Sequence, residues 1–282
     1  MKRILVPVDF SPTSERALCF AINIVSKSEG EVFLHHVYSP VENSDTDTEK
    51  KKRELSLNRQ TEAVLMKRLQ RFKKKSSDIN SKVKVSTIVG HTPAIRSILK
   101  FSKQNRIDLI VMGTNAASDF KKAIFGSMAV SMLEKSNVPV LLVPEKFEWK
   151  EPEEFLFATN YQRAERQALI FTIALAKLYD ADVTVVHLLD PYLHFSEEQQ
   201  KDFSEYAFEL QRTYSDCNLK FKELKTTEVS DTMEKLYDEI PYDVLVMVRR
   251  KKTFFENFFT KSFTKNMAYV TTQPLLIVPQ EE

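Results

Sequence analysis

Two glycines and a serine set the chemistry this chain could do. Gly113 and Gly126-Ser127 bracket a polar loop within residues 111–144, VMGTNAASDFKKAIFGSMAVSMLEKSNVPVLLVP. The whole chain has only 4 glycines, so their placement carries information. Glycine lets a backbone approach a ligand closely. Loop N–H groups that converge with those of a helix N-terminus make a cradle for phosphate. Asp9 is the next candidate, a carboxylate that ends the apolar run Ile4-Leu5-Val6-Pro7-Val8. Such an acid either touches a ligand or caps the turn that follows it; both readings stand at this point. No Ser-His-Asp order or paired carboxylate set emerges, so no catalytic residues are expected. His35, His91 and His194 have no zinc-ligand spacing, and no metal site is expected.

Bulk properties narrow the classes of function. With 282 residues, 43% hydrophobic and 28% charged, the chain reads as globular, of about two domains. A net charge of +2 is near neutral and does not argue for nucleic acid or a membrane as a partner. The basic run 50–53 has acidic neighbours and no aromatic stacking set, and reads as a solvated helix face. No apolar run approaches the roughly 20 residues of a membrane span. Cys19 and Cys217 lie far apart, which points to reduced thiols and a cytoplasmic protein.

Strands and helices must alternate to position these residues. Residues 4–8 read as a strand buried on both faces. Ser11 then caps a helix, with Pro12 at its first position and Glu15 in its first turn. Leu18, Ala21, Ile22 and Val25 form its buried stripe. Residues 32–37 are a second strand and 49–75 a long basic helix. Residues 83–89 are a third strand, with Thr92 as cap and Pro93 as first residue of the next helix. Residues 108–112 and 138–143 supply strands on either side of the glycine loop. Alternation of this kind implies a parallel, doubly wound sheet. Charged residues 145–154 read as a linker.

After the linker the pattern repeats. Residues 5–18, LVPVDFSPTSERAL, align without a gap to 156–169, LFATNYQRAERQAL. Asp108 aligns with Asp243, Ser127 with Ser262, and 139–144 with 274–279 at a second fixed offset. The chemistry does not survive the duplication: Asp9 maps to Asn160, Gly113 to Val248, Ala116 to Lys251 and Gly126 to Lys261. The cluster Arg249-Arg250-Lys251-Lys252 is either a solvated loop or a side-chain anion site.

These residues resemble the universal stress protein family in its tandem form. The resemblance rests on Val6-Pro7-Val8-Asp9-Phe10-Ser11, on Gly113, Gly126 and Ser127 at the family's glycine spacing, and on Val143-Pro144 with Val278-Pro279. Ala116 stands where the family has its middle glycine. The resemblance implies two Rossmann-like α/β domains, 1–146 and 147–282, each with a five-stranded parallel sheet of order 3-2-1-4-5. That order has a switch point between strands 1 and 4, where open α/β sheets bind ligands. It implies an adenine nucleotide such as ATP in the N-terminal domain only, held by Pro7, Val8, Asp9, Val37, Met112, Gly113, Ala116, Gly126, Ser127 and Met128. It also implies a regulator or sensor, with at most slow ATP hydrolysis, and pairing of the two repeats within the chain. A homo-oligomer stays open. The alternative is a ligand-free protein-interaction module with decayed nucleotide sites, and an adenylating-type enzyme is a third class.

Overall fold

The computed structural model describes residues 1–41, 48–114, 127–159, 165–189, 197–225, 240–249 and 273–280. The chain divides into two compact units, Met1–Gly113 and Thr114–Glu282.

The first unit runs β1 (Arg3–Pro7), α1 (Pro12–Ser28), β2 (Glu31–Tyr38), α2 (Thr48–Asn80), β3 (Lys84–His91), α3 (Ala94–Gln104) and β4 (Leu109–Thr114, its last residue in the second unit). Its strands are parallel in the order β3-β2-β1-β4. Ser11 caps α1 and accepts a hydrogen bond from the Ser14 N–H, with Pro12 at the first helical position. Leu18, Ala21, Ile22 and Val25 are all buried, so cap and stripe are as their residue types require.

Two local expectations change. Thr92 does not cap α3: its N–H is donated to the Tyr38 carbonyl at 3.0 Å. That bond prolongs the β2–β3 ladder, and α3 starts later, with Pro93 at the N-cap position and no side-chain cap. The long helix α2 buries only Leu69, Phe72 and Ser76. Its N-terminal half lies in solvent, with Leu55 59% and Val64 64% exposed.

The second unit contains α4 (Ser127–Lys135), β5 (Val140–Pro144), β6 (Glu154–Thr159), α5 (Arg166–Ala176), β7 (Asp182–Leu189), α6 (Glu197–Thr213), β8 (Leu219–Lys225), β9 (Val244–Arg249) and β10 (Leu275–Pro279). Strands β8-β7-β6-β9-β10 are parallel neighbours, the 3-2-1-4-5 order of one doubly wound domain. Strand β5 adds to β10 antiparallel, with Leu142 opposite Leu275 and Leu141 opposite Leu276. That pairing is why β5 belongs to this unit. The charged stretch after β5 is held down: Phe147 is buried, and the Trp149 ring lies 6.2 Å from that of Tyr179.

The duplication is visible in hydrogen bonds. Asp108 accepts from the N–H groups of Lys2 at 2.7 Å and Arg3 at 2.9 Å. Asp243 accepts from those of Glu153 at 2.7 Å and Glu154 at 3.0 Å. In register, Leu5 sits opposite Ile110 and Leu156 opposite Leu245. In each copy one carboxylate closes the N-terminal edge where strand one meets strand four.

Candidate functional site at the strand ends

In the first unit the C-terminal ends of β1, β2 and β4 gather Pro7, Val8, Asp9, Val37, Met112 and Gly113. Counting on from Leu5 opposite Ile110 brings Pro7 level with Met112. Val8 is buried and donates its N–H to the His35 carbonyl at 2.9 Å. Asp9 is exposed. Its Oδ1 accepts from the Ser11 N–H at 3.0 Å, the Ser11 hydroxyl at 2.5 Å and the Ser14 hydroxyl. Its Oδ2 has no hydrogen-bond partner among the described residues. Asp9 therefore caps the turn through Oδ1 while the residue stays exposed. Partial burial pushes its carboxyl up, but the hydrogen bonds from Ser11 and Ser14 outweigh that and hold it below the ordinary aspartate value.

Phe10 fixes this turn. Its φ is 65°, a backbone that a bulky side chain rarely adopts. Three contacts hold it there. Its ring lies 4.5 Å from the His36 ring, 5.9 Å from the Phe72 ring and 4.1 Å below the Arg68 guanidinium. His36 Nδ1 is 2.6 Å from the Val8 carbonyl, so that nitrogen carries the proton and donates. Helix α2 thus reaches the turn that aims Asp9. The sequence marked His36 only by its match to His187, and gave no sign that Arg68 or Phe72 would meet Phe10, because helix-to-loop contacts have no fixed spacing.

Gly113 is required by packing and not by a left-handed backbone, since no described glycine has positive φ. A Cβ at this position would stand 2.4 Å from the carbonyl carbon and oxygen of Thr13. The glycine lets β4 pass directly against the first turn of α1. Ser127 and Met128 open α4 in the second unit, both exposed. Ala116 and Gly126 lie outside the described residues.

The universal stress protein family model matches residues 1–144 and again 153–279. The chain belongs to the universal stress protein family. The universal stress protein MJ0577 of Methanocaldococcus jannaschii is 31% identical over 159 residues, covering 51% of this chain and 96% of the relative. The protein YxiE of Bacillus subtilis is 25% identical over 156 residues, covering 50% of this chain and 97% of its own. A crystal structure of a universal stress protein from Archaeoglobus fulgidus superposes over 99% of this chain and 98% of its own, with TM-score 0.73 and 16% identity, a likeness of fold alone.

In the second copy of the universal stress protein fold, the matching corner is built differently. Glu165 occupies the place of Ser14 and is 3% exposed. The Thr159 hydroxyl donates to its carboxylate at 2.6 Å. Burial draws the nearby His187 down to about 4 against the upward pull of Glu165, and burial with the same carboxylate pushes Tyr206 up to about 12. A buried carboxylate at this corner disfavours a second anion.

Arg249 is neither a solvated loop residue nor a free anion ligand. Its guanidinium donates to the carbonyls of Leu133 at 2.9 Å, Ser136 at 2.7 Å and Glu134. It caps the C-terminus of α4, where a cation also complements the helix dipole. Arg249→Ala should lower unfolding stability by about 1–2 kcal/mol. Chemical denaturation, with amide exchange read at α4, checks this; unchanged protection there would refute the cap. Arg250, Lys251 and Lys252 lie outside the described residues. Among the described residues no cluster of His, Cys, Asp and Glu could hold a metal ion, and no helix is long and apolar enough to cross a membrane.

Proposed function

We propose that this chain is a regulatory or sensor protein whose first copy binds an adenine nucleotide such as ATP, and whose second copy does not. The observation that carries this is Asp9. One carboxylate oxygen is fixed by Ser11 and Ser14, and Asp9 is exposed at the end of β1. A hydrogen-bonded, ionised acceptor pre-aimed beside a strand switch point suits the hydroxyl or amino donors of a nucleoside. Exposed Ser127 and Met128 at the start of α4 would offer N–H groups to phosphate. The buried Glu165 supports the restriction to the first copy.

Binding and not turnover is the expected mode: Asp9 is the one carboxylate among the described residues at these strand ends, and its Oδ1 is engaged by Ser11 and Ser14. The domain division proposed is 1–146 and 147–282, which the two family matches support. The antiparallel β5–β10 register supports the further proposal that the repeats pair through their last strands. The free Cys19 and Cys217 thiols fit a cytoplasmic location.

Calorimetric titration of the full chain with ATP tests the reading. Saturable binding is expected, and Asp9→Ala should weaken it about tenfold or more. Absence of binding at millimolar ATP would refute it, as would an Asp9→Ala chain that binds like the parent. One observation favours the alternative of a ligand-free interaction module: α2 leaves Leu55, Leu57 and Val64 exposed on its N-terminal half.

A further inference from the structure

We propose that Phe10 is the positioning residue of the Asp9 site, and that helix α2 sets ligand affinity there by holding Phe10 in a left-handed turn. This rests on the nucleotide reading of Asp9. Affinity is then governed from outside the site, by a helix that supplies none of the proposed binding residues.

The left-handed backbone at Phe10 has no helix to stop. Four non-glycine residues among those described have positive φ. Glu29 ends α1, Arg106 follows the end of α3, and Asp180 ends the short helical turn Lys177–Tyr179. A left-handed residue is a common way to close a helix. Phe10 instead lies between β1 and the Ser11 cap of α1, with φ 65°. A bulky side chain resists that backbone. It persists only where the surroundings over-determine it, and such residues gather where a group must be aimed.

Those surroundings come from two elements. From β2, the His36 ring lies 4.5 Å from that of Phe10, and its Nδ1 holds the Val8 carbonyl at 2.6 Å. Val8 also donates its N–H to the His35 carbonyl at 2.9 Å, so the residue before Asp9 is tied to β2 by both backbone groups. From α2, Phe72 meets the Phe10 ring edge-on at 5.9 Å, and the Arg68 guanidinium covers it at 4.1 Å. Phe72 is buried, and Lys75 pairs with Glu15 of α1, so this stretch of α2 is anchored. Phe10 is the one residue between Asp9 and Ser11, and its φ decides how the carboxylate meets its donors. The Asp9 N–H donates to the Ser14 hydroxyl oxygen at 3.3 Å, and Oδ1 takes the Ser11 N–H at 3.0 Å. A turn released to negative φ parts the carboxylate from these partners.

The test has two arms, both on the full chain. An NMR titration of the Asp9 carboxyl needs no ligand. In the parent it should titrate below the ordinary aspartate value, as the bonds from Ser11 and Ser14 require. Phe10→Ala keeps the backbone strain and removes the clasp, and should raise the carboxyl toward that value. Phe10→Gly adopts positive φ freely and should bring it back down. Calorimetric titration with ATP should follow the same order: about tenfold weaker in Phe10→Ala, with most of the affinity recovered in Phe10→Gly. Arg68→Gln, at an exposed position, should weaken ATP several-fold in the parent and change nothing further in the Phe10→Gly chain. Thermal melting reports that each variant is folded. A folded Phe10→Ala chain with unchanged Asp9 titration would overturn the proposal, and so would a Phe10→Gly chain as impaired as Phe10→Ala. An Arg68→Gln effect that survives in the Phe10→Gly chain would mean that Arg68 meets the ligand directly, and overturns it too. If the parent binds no ATP, the nucleotide reading fails, while the carboxyl titration still decides whether Phe10 positions Asp9.

Discussion

Gly113→Val should destabilise the first unit by about 3 kcal/mol or more. The Cβ alone would stand 2.4 Å from the carbonyl carbon and oxygen of Thr13 and 2.6 Å from its Cβ. Two of these three atoms are backbone in the first turn of α1, so no rotamer change relieves the overlap. Thr13 is itself buried, and β4 is tied to β1 by the Leu5–Ile110 register. Either the helix must lift from the sheet or the strand must shift. Gly113→Ala, which adds only the Cβ, should cost about 2 kcal/mol, and valine more because its branches extend the clash. Denaturant midpoints for the three chains check the series. A neutral Gly113→Ala would mean that the glycine serves a ligand and not the packing. The second copy carries Val248, buried in β9, so the demand for glycine belongs to the β4–α1 contact and not to the fold in general.

Stability should fall by up to about 3 kcal/mol between pH 6.5 and pH 4 through His35 alone. Burial, with a smaller contribution from neighbouring His36, draws His35 down to about 4. The folded state therefore holds this imidazole neutral while the unfolded chain protonates it near 6.5. The unfolded state binds more protons throughout that interval, so the contribution is fully present above pH 6.5 and is lost as pH falls toward 4. Partly buried His187, also drawn to about 4, adds in the same direction. Asp9 acts in a separate window. Its lowered carboxyl contributes above the ordinary aspartate value and is lost only as pH falls below it. Denaturant midpoints at pH 7 and pH 4.5 measure the drop, and His35→Leu should flatten it. An equal drop in the variant would assign the acid sensitivity elsewhere.

Much of the strand-end corner around Asp9 was legible from residue types alone. Asp9 at the end of β1 and the Ser11 cap follow from local chemistry, because an acid or hydroxyl bonds N–H groups two or three residues on. The two fixed offsets of the repeat likewise reappear as Asp108 and Asp243 bonding equivalent N–H groups. Phe10 was visible only as part of a motif. Its strained backbone and its clasp by His36, Phe72 and Arg68 join three elements distant in sequence.

The sequence by itself determined the duplication, the alternation of strand and helix, the family and the asymmetry between the copies. Periodicity, caps and repeats act over a few residues or by identity, and need no knowledge of neighbours in space. The tertiary structure decided what each residue is for. Gly113 accommodates Thr13, Gly90 leaves room for His35 and Ser97, and Arg249 caps α4 instead of meeting solvent. Thr92 was claimed by the β2–β3 ladder before it could cap α3. Each of these depends on which element packs beside which, and that follows from burying all the apolar faces together rather than from any local run of residues.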